Sequence, residues 1–91
     1  MTWEAIYAST FLKDYERLPR SVRERVKRIA FGEKIRQDPF LGGRTAKIRG
    51  YQDYYRIRVG DYRIGLQLDF ALRLIEFRRV LHRSQIYRRF P

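Results

Sequence analysis

The sequence predicts an α+β domain in the order β-α-α-β-β-β with a short C-terminal helix, its helical hairpin packed on one face of a mostly antiparallel sheet. Three observations carry this expectation. Apolar residues before Gly42-Gly43 recur at helical spacing, and those after it recur every second residue. Between two of the alternating runs stands Gly60-Asp61, a two-residue hairpin signal. The chain has 91 residues, 44% of them hydrophobic, which suits one domain, taken as residues 1–91, and excludes disorder throughout.

Residues 2–8 open with a short strand, in which Trp3, Ala5 and Tyr7 alternate with Thr2, Glu4 and Ile6. Ser9 is placed to cap a helix of about two turns. Phe11, Tyr15 and Leu18 give that helix one apolar stripe, and Pro19 stops it. A second helix is expected from Ser21, with Glu24 three residues on as a capping box. Val22, Val26, Ile29 and Ala30 form its buried stripe, Gly32 weakens it, and Asp38-Pro39 ends it. Residues 45–49 can add an edge strand. Tyr55, Ile57 and Val59 alternate with Tyr54, Arg56 and Arg58, and Tyr62, Ile64, Leu66 and Leu68 alternate with Arg63, Gly65, Gln67 and Asp69. Residues 72–80 read as a further strand, although poor alternation leaves its faces unassigned. The tail, 83–90, suits a short helix with Ser84 near its start.

Charge narrows the partners. Twenty-one Lys and Arg oppose ten Asp and Glu, for a net charge of +11, and 17 of the basic residues are Arg. Such an excess repels itself in a compact state unless an anionic partner is near, so nucleic acid, the ribosome or an acidic protein is implied. Arg also grips phosphate bidentately and stacks on bases, which Lys does poorly. Residues 44–91 hold twelve basic and four acidic side chains, so the anion-facing surface should lie there. With no Cys and only His82, disulfides, thiolate catalysis and a histidine-built metal centre find no material. No cofactor is expected. No run is long enough for a membrane span and the N-terminus lacks a signal-peptide pattern, so the expected location is the cytoplasm.

The hairpin concentrates its arginines. Counting outward from Gly60-Asp61 pairs Val59 with Tyr62, Arg58 with Arg63, Ile57 with Ile64, Arg56 with Gly65 and Tyr55 with Leu66. One face is then apolar, and the other sets Arg58 directly opposite Arg63 with Arg56 two positions along. Like charges so opposed are destabilising, which a purely structural account does not explain. Gly65 leaves space beside them, and three guanidiniums around a gap suit a phosphate in a crowded transition state. The competing reading is solvated arginine on an open sheet face.

A second cluster runs from Arg78 and Arg79 through His82, Arg83, Tyr87, Arg88 and Arg89. In a helix Arg83 and Tyr87 share a face. Cations stabilise a phenolate, which makes Tyr87 a candidate proton acceptor, and it could instead stack a base. An amphipathic anchor is the plainer role for Tyr87, and a structural or surface role the plainer one for His82. No phosphate-cradling glycine loop, nucleophile elbow or defensible carboxylate pair is present. Phosphodiester cleavage needs none of these, because RNA supplies its own 2′-hydroxyl nucleophile.

The segments Asp38-Pro39, Ile48-Arg49-Gly50, YRIRVGDYRI from Tyr55 to Ile64, Val80-Leu81-His82-Arg83 and Ile86-Tyr87 together resemble the RelE branch of the RelE/ParE toxin superfamily, over essentially the whole chain. That resemblance implies a bacterial toxin–antitoxin module. Its toxin, an mRNA interferase, enters the ribosomal A site and cuts mRNA by 2′-hydroxyl attack, without metal. A cognate acidic antitoxin, expected to be partly disordered, would neutralise the charge. Matched by position, Arg56 and Arg58 would hold substrate phosphate and transition-state charge, with Arg63 beside them. Arg83 would stabilise the leaving side and Tyr87 would act as base. Lys47, Arg49, Arg78, Arg79, His82, Arg88 and Arg89 are the expected RNA-binding set. Two departures stand out: Arg occupies 56 and 58 where some members have Lys, and Leu81 replaces the usual Gly before His82-Arg83. A ParE-like inhibitor of DNA gyrase and a non-catalytic RNA-binding domain are the alternatives.

Overall fold

The structure is a computed structural model that describes residues 2–91. Among the described residues five strands, one more than the expected β-α-α-β-β-β order counts, form one sheet in the order β1-β5-β4-β3-β2: β1 (Glu4–Tyr7), β2 (Thr45–Lys47), β3 (Tyr54–Val59), β4 (Tyr62–Asp69) and β5 (Leu74–His82). Only β1 against β5 is parallel; the other three pairings are antiparallel. The helices are α1 (Ser9–Glu16), α2 (Arg20–Ala30), the one-turn α3 (Lys34–Gln37) and α4 (Arg83–Arg89), with a 3-10 turn at Leu41–Gly43.

The β3–β4 register agrees with the count from the hairpin loop at all five pairs. Gly60 takes φ +59 while Asp61 stays at negative φ, the II′ pattern that places Gly first. Ile57, Val59, Ile64, Leu66, Leu68, Ile75 and Phe77 are fully buried against Phe11 and Val26 of the helices. Burying an aliphatic or aromatic side chain of this size contributes about 2 kcal/mol, so this layer dominates the fold's stability.

Three local expectations are corrected. Pro19 rather than Ser21 precedes α2: its carbonyl accepts the Arg23 N–H at 2.8 Å, so Ser21 already lies in the first turn and caps nothing. Likewise Ala8, not Ser9, is the N-cap of α1, without a side-chain bond. The second helix ends at Ala30 instead of reaching Asp38-Pro39. Gly32 closes it tightly, for a Cβ there would stand 2.2 Å from the Arg28 carbonyl oxygen.

Irregular alternation in β5 has a clear cause. Gly65 pairs with Arg79 while Leu66 pairs with Phe77, so Arg78 is an extra, bulged residue. Ile75 and Phe77 face the helices before the bulge, and Val80 resumes that face after it. Beyond β1, α1 covers the open margin of β5. Asp14 on α1 accepts the Val80 N–H at 3.2 Å and binds Arg79 through both oxygens, at 2.7 and 3.1 Å.

The closing helix crosses to the other side of the sheet. Leu81, Ile86 and Phe90 make a small second core with Ile48 and Tyr54. The sheet is therefore covered by α1 to α3 on one face and by α4 on part of the arginine face. The gap expected at Gly65 is filled: a Cβ built there would lie 2.6 Å from Cδ2 of Phe90.

Candidate active site on the arginine face

His82 starts α4. Its Nδ1 accepts the Ser84 N–H at 3.2 Å and lies 2.9 Å from Ser84 Oγ, which satisfies an end of the helix that would otherwise be open. With Phe90 seated over Gly65, one turn of α4 carries Tyr87 across to β3. There Arg56 Nη1 donates to the Tyr87 hydroxyl at 2.9 Å, and the guanidinium carbon sits 5.5 Å from the ring centroid. Tyr87 is otherwise open, 66% exposed. A phenolic oxygen held by a fixed cation, with its other side facing solvent, can exchange a proton with a bound substrate.

Arg58 and Arg63 stand opposed on the same face, as expected, but they differ in freedom. Arg63 Nη1 donates to the carbonyls of Gly60 and Tyr62, both at 2.9 Å, so it braces the turn. Arg58 is exposed, and among the described residues its guanidinium has no hydrogen-bond or ion-pair partner. Arg83 opens α4 with its backbone N–H on the Asp61 carbonyl at 2.8 Å, and its guanidinium lies 4.0 Å from the Asp61 carboxylate. Arg83 and Tyr87 lie four residues apart on α4, so they share a face.

The wider basic set divides. Arg88 and Arg89 are exposed on α4, and Arg49 is exposed in the β2–β3 loop. Arg78 lies on the arginine face, but Glu76 and Gln67 hold it at 3.2 Å and it leans over Tyr54. Arg79 is committed to Asp14 at the sheet margin. Lys47 registers with Tyr55, which puts it on the helix-facing side, away from Arg56. His82 serves as the cap of α4.

Two arginines missed in the sequence reading complete the turn end. Arg44 Nη2 donates to the Arg58 carbonyl at 3.0 Å, and Arg25 reaches from α2 so that a Cβ on Gly60 would meet its Nη1 at 3.0 Å. Neither carries a local sequence signal, since both arrive from other elements. Guanidiniums thus surround the hairpin turn, with the Asp61 carboxylate among them.

Residues 5–87 match the family model of the ParE toxin of the type II toxin-antitoxin system, parDE. Toxin RelE3 of Methanocaldococcus jannaschii is 43% identical over 91 residues, covering 97% of this chain and 99% of that protein. The solved RelB-RelE antitoxin-toxin complex from Methanococcus jannaschii holds a chain that superposes with a TM-score of 0.75 at 43% identity, over 94% of this chain and 99% of that one. The isolated E. coli RelE toxin shares the fold, with a TM-score of 0.73 at 23% identity over 94% and 92% of the two chains.

Proposed function

This chain belongs to the RelE/ParE superfamily and is a toxin of a type II toxin–antitoxin system; from that premise we propose that it is a ribosome-dependent endoribonuclease that cleaves mRNA in the A site. The observation that carries the reading is the 2.9 Å contact between Arg56 and Tyr87, made on the face that also presents Arg58, Arg63 and, one helical turn from Tyr87, Arg83.

Tyr87 takes the proton from the ribose 2′-hydroxyl, and that oxygen attacks the adjacent phosphorus. Arg56 and Arg58 bear the charge that grows on the non-bridging oxygens. The 5′-oxygen leaves and is protonated by a water molecule on the Arg83 side, and the hydroxide so formed takes back the proton that Tyr87 accepted. The products are a 2′,3′-cyclic phosphate and a 5′-hydroxyl, so atoms and charge balance. Arg63 acts by holding the turn that presents Arg58. A cognate antitoxin of acidic character is the inhibitory partner, a reading supported by the related chain from Methanococcus jannaschii, which was solved in a RelB-RelE antitoxin-toxin complex.

Primer-extension mapping of mRNA ends on translating ribosomes tests this. The Tyr87→Phe variant should fold as the parent does and cut roughly 10²- to 10⁴-fold more slowly. Equal cutting by both would refute the assignment.

The ParE description of the matching family model favours a second reading, inhibition of DNA gyrase on the same fold without nuclease activity. New message ends support the first reading; gyrase-dependent DNA breaks without them support the second.

A further inference from the structure

A second surface, at the sheet margin beside the arginine face, has no role in that chemistry. The β2–β3 connection, residues 48–53, folds over a shallow cleft of about 540 Å³ lined by Lys47, Ile48, Arg49, Gly50, Tyr51 and Gln52. Gly50 takes φ +85, which turns the chain so that the next side chain projects outward. Tyr51 is 51% exposed although it is a large aromatic. Its ring lies edge-on to Tyr54 at 6.2 Å between centroids, and Tyr54 in turn lies edge-on to Phe90 at 5.6 Å and under the Arg78 guanidinium.

These contacts connect the loop to the active face. Tyr54 and Arg56 are two residues apart on β3, so they point the same way about 6.5 Å apart. Tyr54 thus neighbours Arg56 along β3 and touches Tyr51 in the loop, where Arg49 lines the same cleft. Between Gly42 and Gln52 no residue is acidic. The next carboxylate, Asp53, is not among the residues that line the cleft. An open aromatic face beside a cation, with a side-chain amide next to it, suits a stacked nucleobase and its phosphate. An acidic peptide would use the cations and leave the exposed ring unexplained.

We propose that the cleft of Arg49, Tyr51 and Gln52 is a nucleotide-binding subsite. Tyr51 stacks one base of the RNA strand adjoining the scissile linkage, Arg49 contacts its phosphate and Gln52 meets its edge. The inference rests on RNA being the substrate, and it adds a site outside the reacting groups.

Fluorescence anisotropy of a short single-stranded oligoribonucleotide, made uncleavable by 2′-deoxy substitution at each ribose preceding a linkage in reach, tests it. Tyr51→Ala should weaken binding roughly five- to a hundredfold at every salt concentration and leave the salt slope unchanged, whereas Tyr51→Phe should bind as the parent does. Arg49→Gln should reduce the slope by about 0.7. An oligonucleotide with abasic positions should lose its dependence on Tyr51. Unaltered affinity in Tyr51→Ala, or an equal loss with the abasic strand, overturns the subsite. So does an effect of Tyr51→Ala on antitoxin binding with none on RNA. Failure of the cleavage reading looks different: no new message ends form in the parent protein, while the Tyr51 dependence of RNA binding persists.

Discussion

The ring of Phe90 occupies the position a side chain on Gly65 would take, 2.6 Å from where a Cβ would stand. Phe90 closes the small core that holds α4 on the sheet, and α4 delivers Tyr87 to Arg56. The glycine in the middle of a buried strand thus weakens the strand locally and is retained for close approach.

Gly65→Ala should therefore displace Phe90. We expect a loss of about 2 kcal/mol in stability and a loss of cutting, with the five-stranded sheet intact. Phe90→Ala should cost about 3 kcal/mol by emptying the same contact. The double variant should be no less stable than Phe90→Ala alone, because the added methyl then fills part of the void. Additive losses in urea denaturation would contradict this arrangement.

Asp14 supports a second prediction. It is 7% exposed, grips Arg79 with both oxygens and also accepts the Val80 N–H at the margin of β5. Removing the carboxylate strands a partly buried guanidinium and an unpaired N–H together. Asp14→Ala should cost about 3 kcal/mol in chemical denaturation. Because Arg79 is committed to that pair, Arg79→Ala should lower stability comparably and leave RNA affinity near that of the parent at temperatures where the variant remains folded. A large affinity loss in a fully folded Arg79→Ala protein would show that this guanidinium also meets RNA.

Those two cases show which parts of the molecule could be read from sequence. A two-residue loop fixes strand register by counting, so the positions of Arg56, Arg58 and Arg63 on one face followed from Gly60-Asp61. The faces of β5 could not follow, because a bulge at Arg78 breaks the two-residue period that assigns them. The sequence around Gly65 suggests open space because its occupant, Phe90, is distant in sequence and approaches through tertiary contact alone. Lys47 sits on the helix-facing side for a related reason: a three-residue edge strand carries too little alternation to set its own register. Arg25 and Arg44 were invisible because nothing local distinguishes them from other surface arginines.

Alkaline pH should destabilise the helical side of the fold. Burial, the larger effect, pushes the Tyr7 hydroxyl above the ordinary tyrosine value of 10.0, with Arg36 pulling partly back, while the hydroxyl donates to the Ala30 carbonyl at 2.7 Å. Burial, with Asp53 adding to it, also raises Tyr55. The unfolded chain then loses these protons at lower pH than the folded one. Stability from both groups is complete below about pH 10 and falls as pH rises through the folded-state values. Tyr7→Phe should cost about 1 kcal/mol near neutral pH, from the lost hydrogen bond, and should flatten the alkaline decline. Urea titrations from about pH 8 to about pH 11 measure both effects. An unchanged alkaline limb in Tyr7→Phe would assign the decline to other groups.

Arg58 and Arg63 should separate stability from function. They are direct cross-strand neighbours of like charge, an arrangement that costs a few tenths of a kcal/mol on a sheet surface. Arg63 recovers that cost through two carbonyl hydrogen bonds at the turn, whereas Arg58 has no such contact among the described residues. Arg58→Gln should leave the fold as stable as before, or more stable by up to about 0.5 kcal/mol, while cutting falls sharply. Arg63→Gln should lower both, with about 1 kcal/mol lost from the turn. Parallel measurement of thermal unfolding and message cleavage distinguishes the two residues. If Arg58→Gln were as destabilising as Arg63→Gln, the strain between the paired charges would be absent, and with it the reason to assign Arg58 to substrate phosphate rather than to the fold.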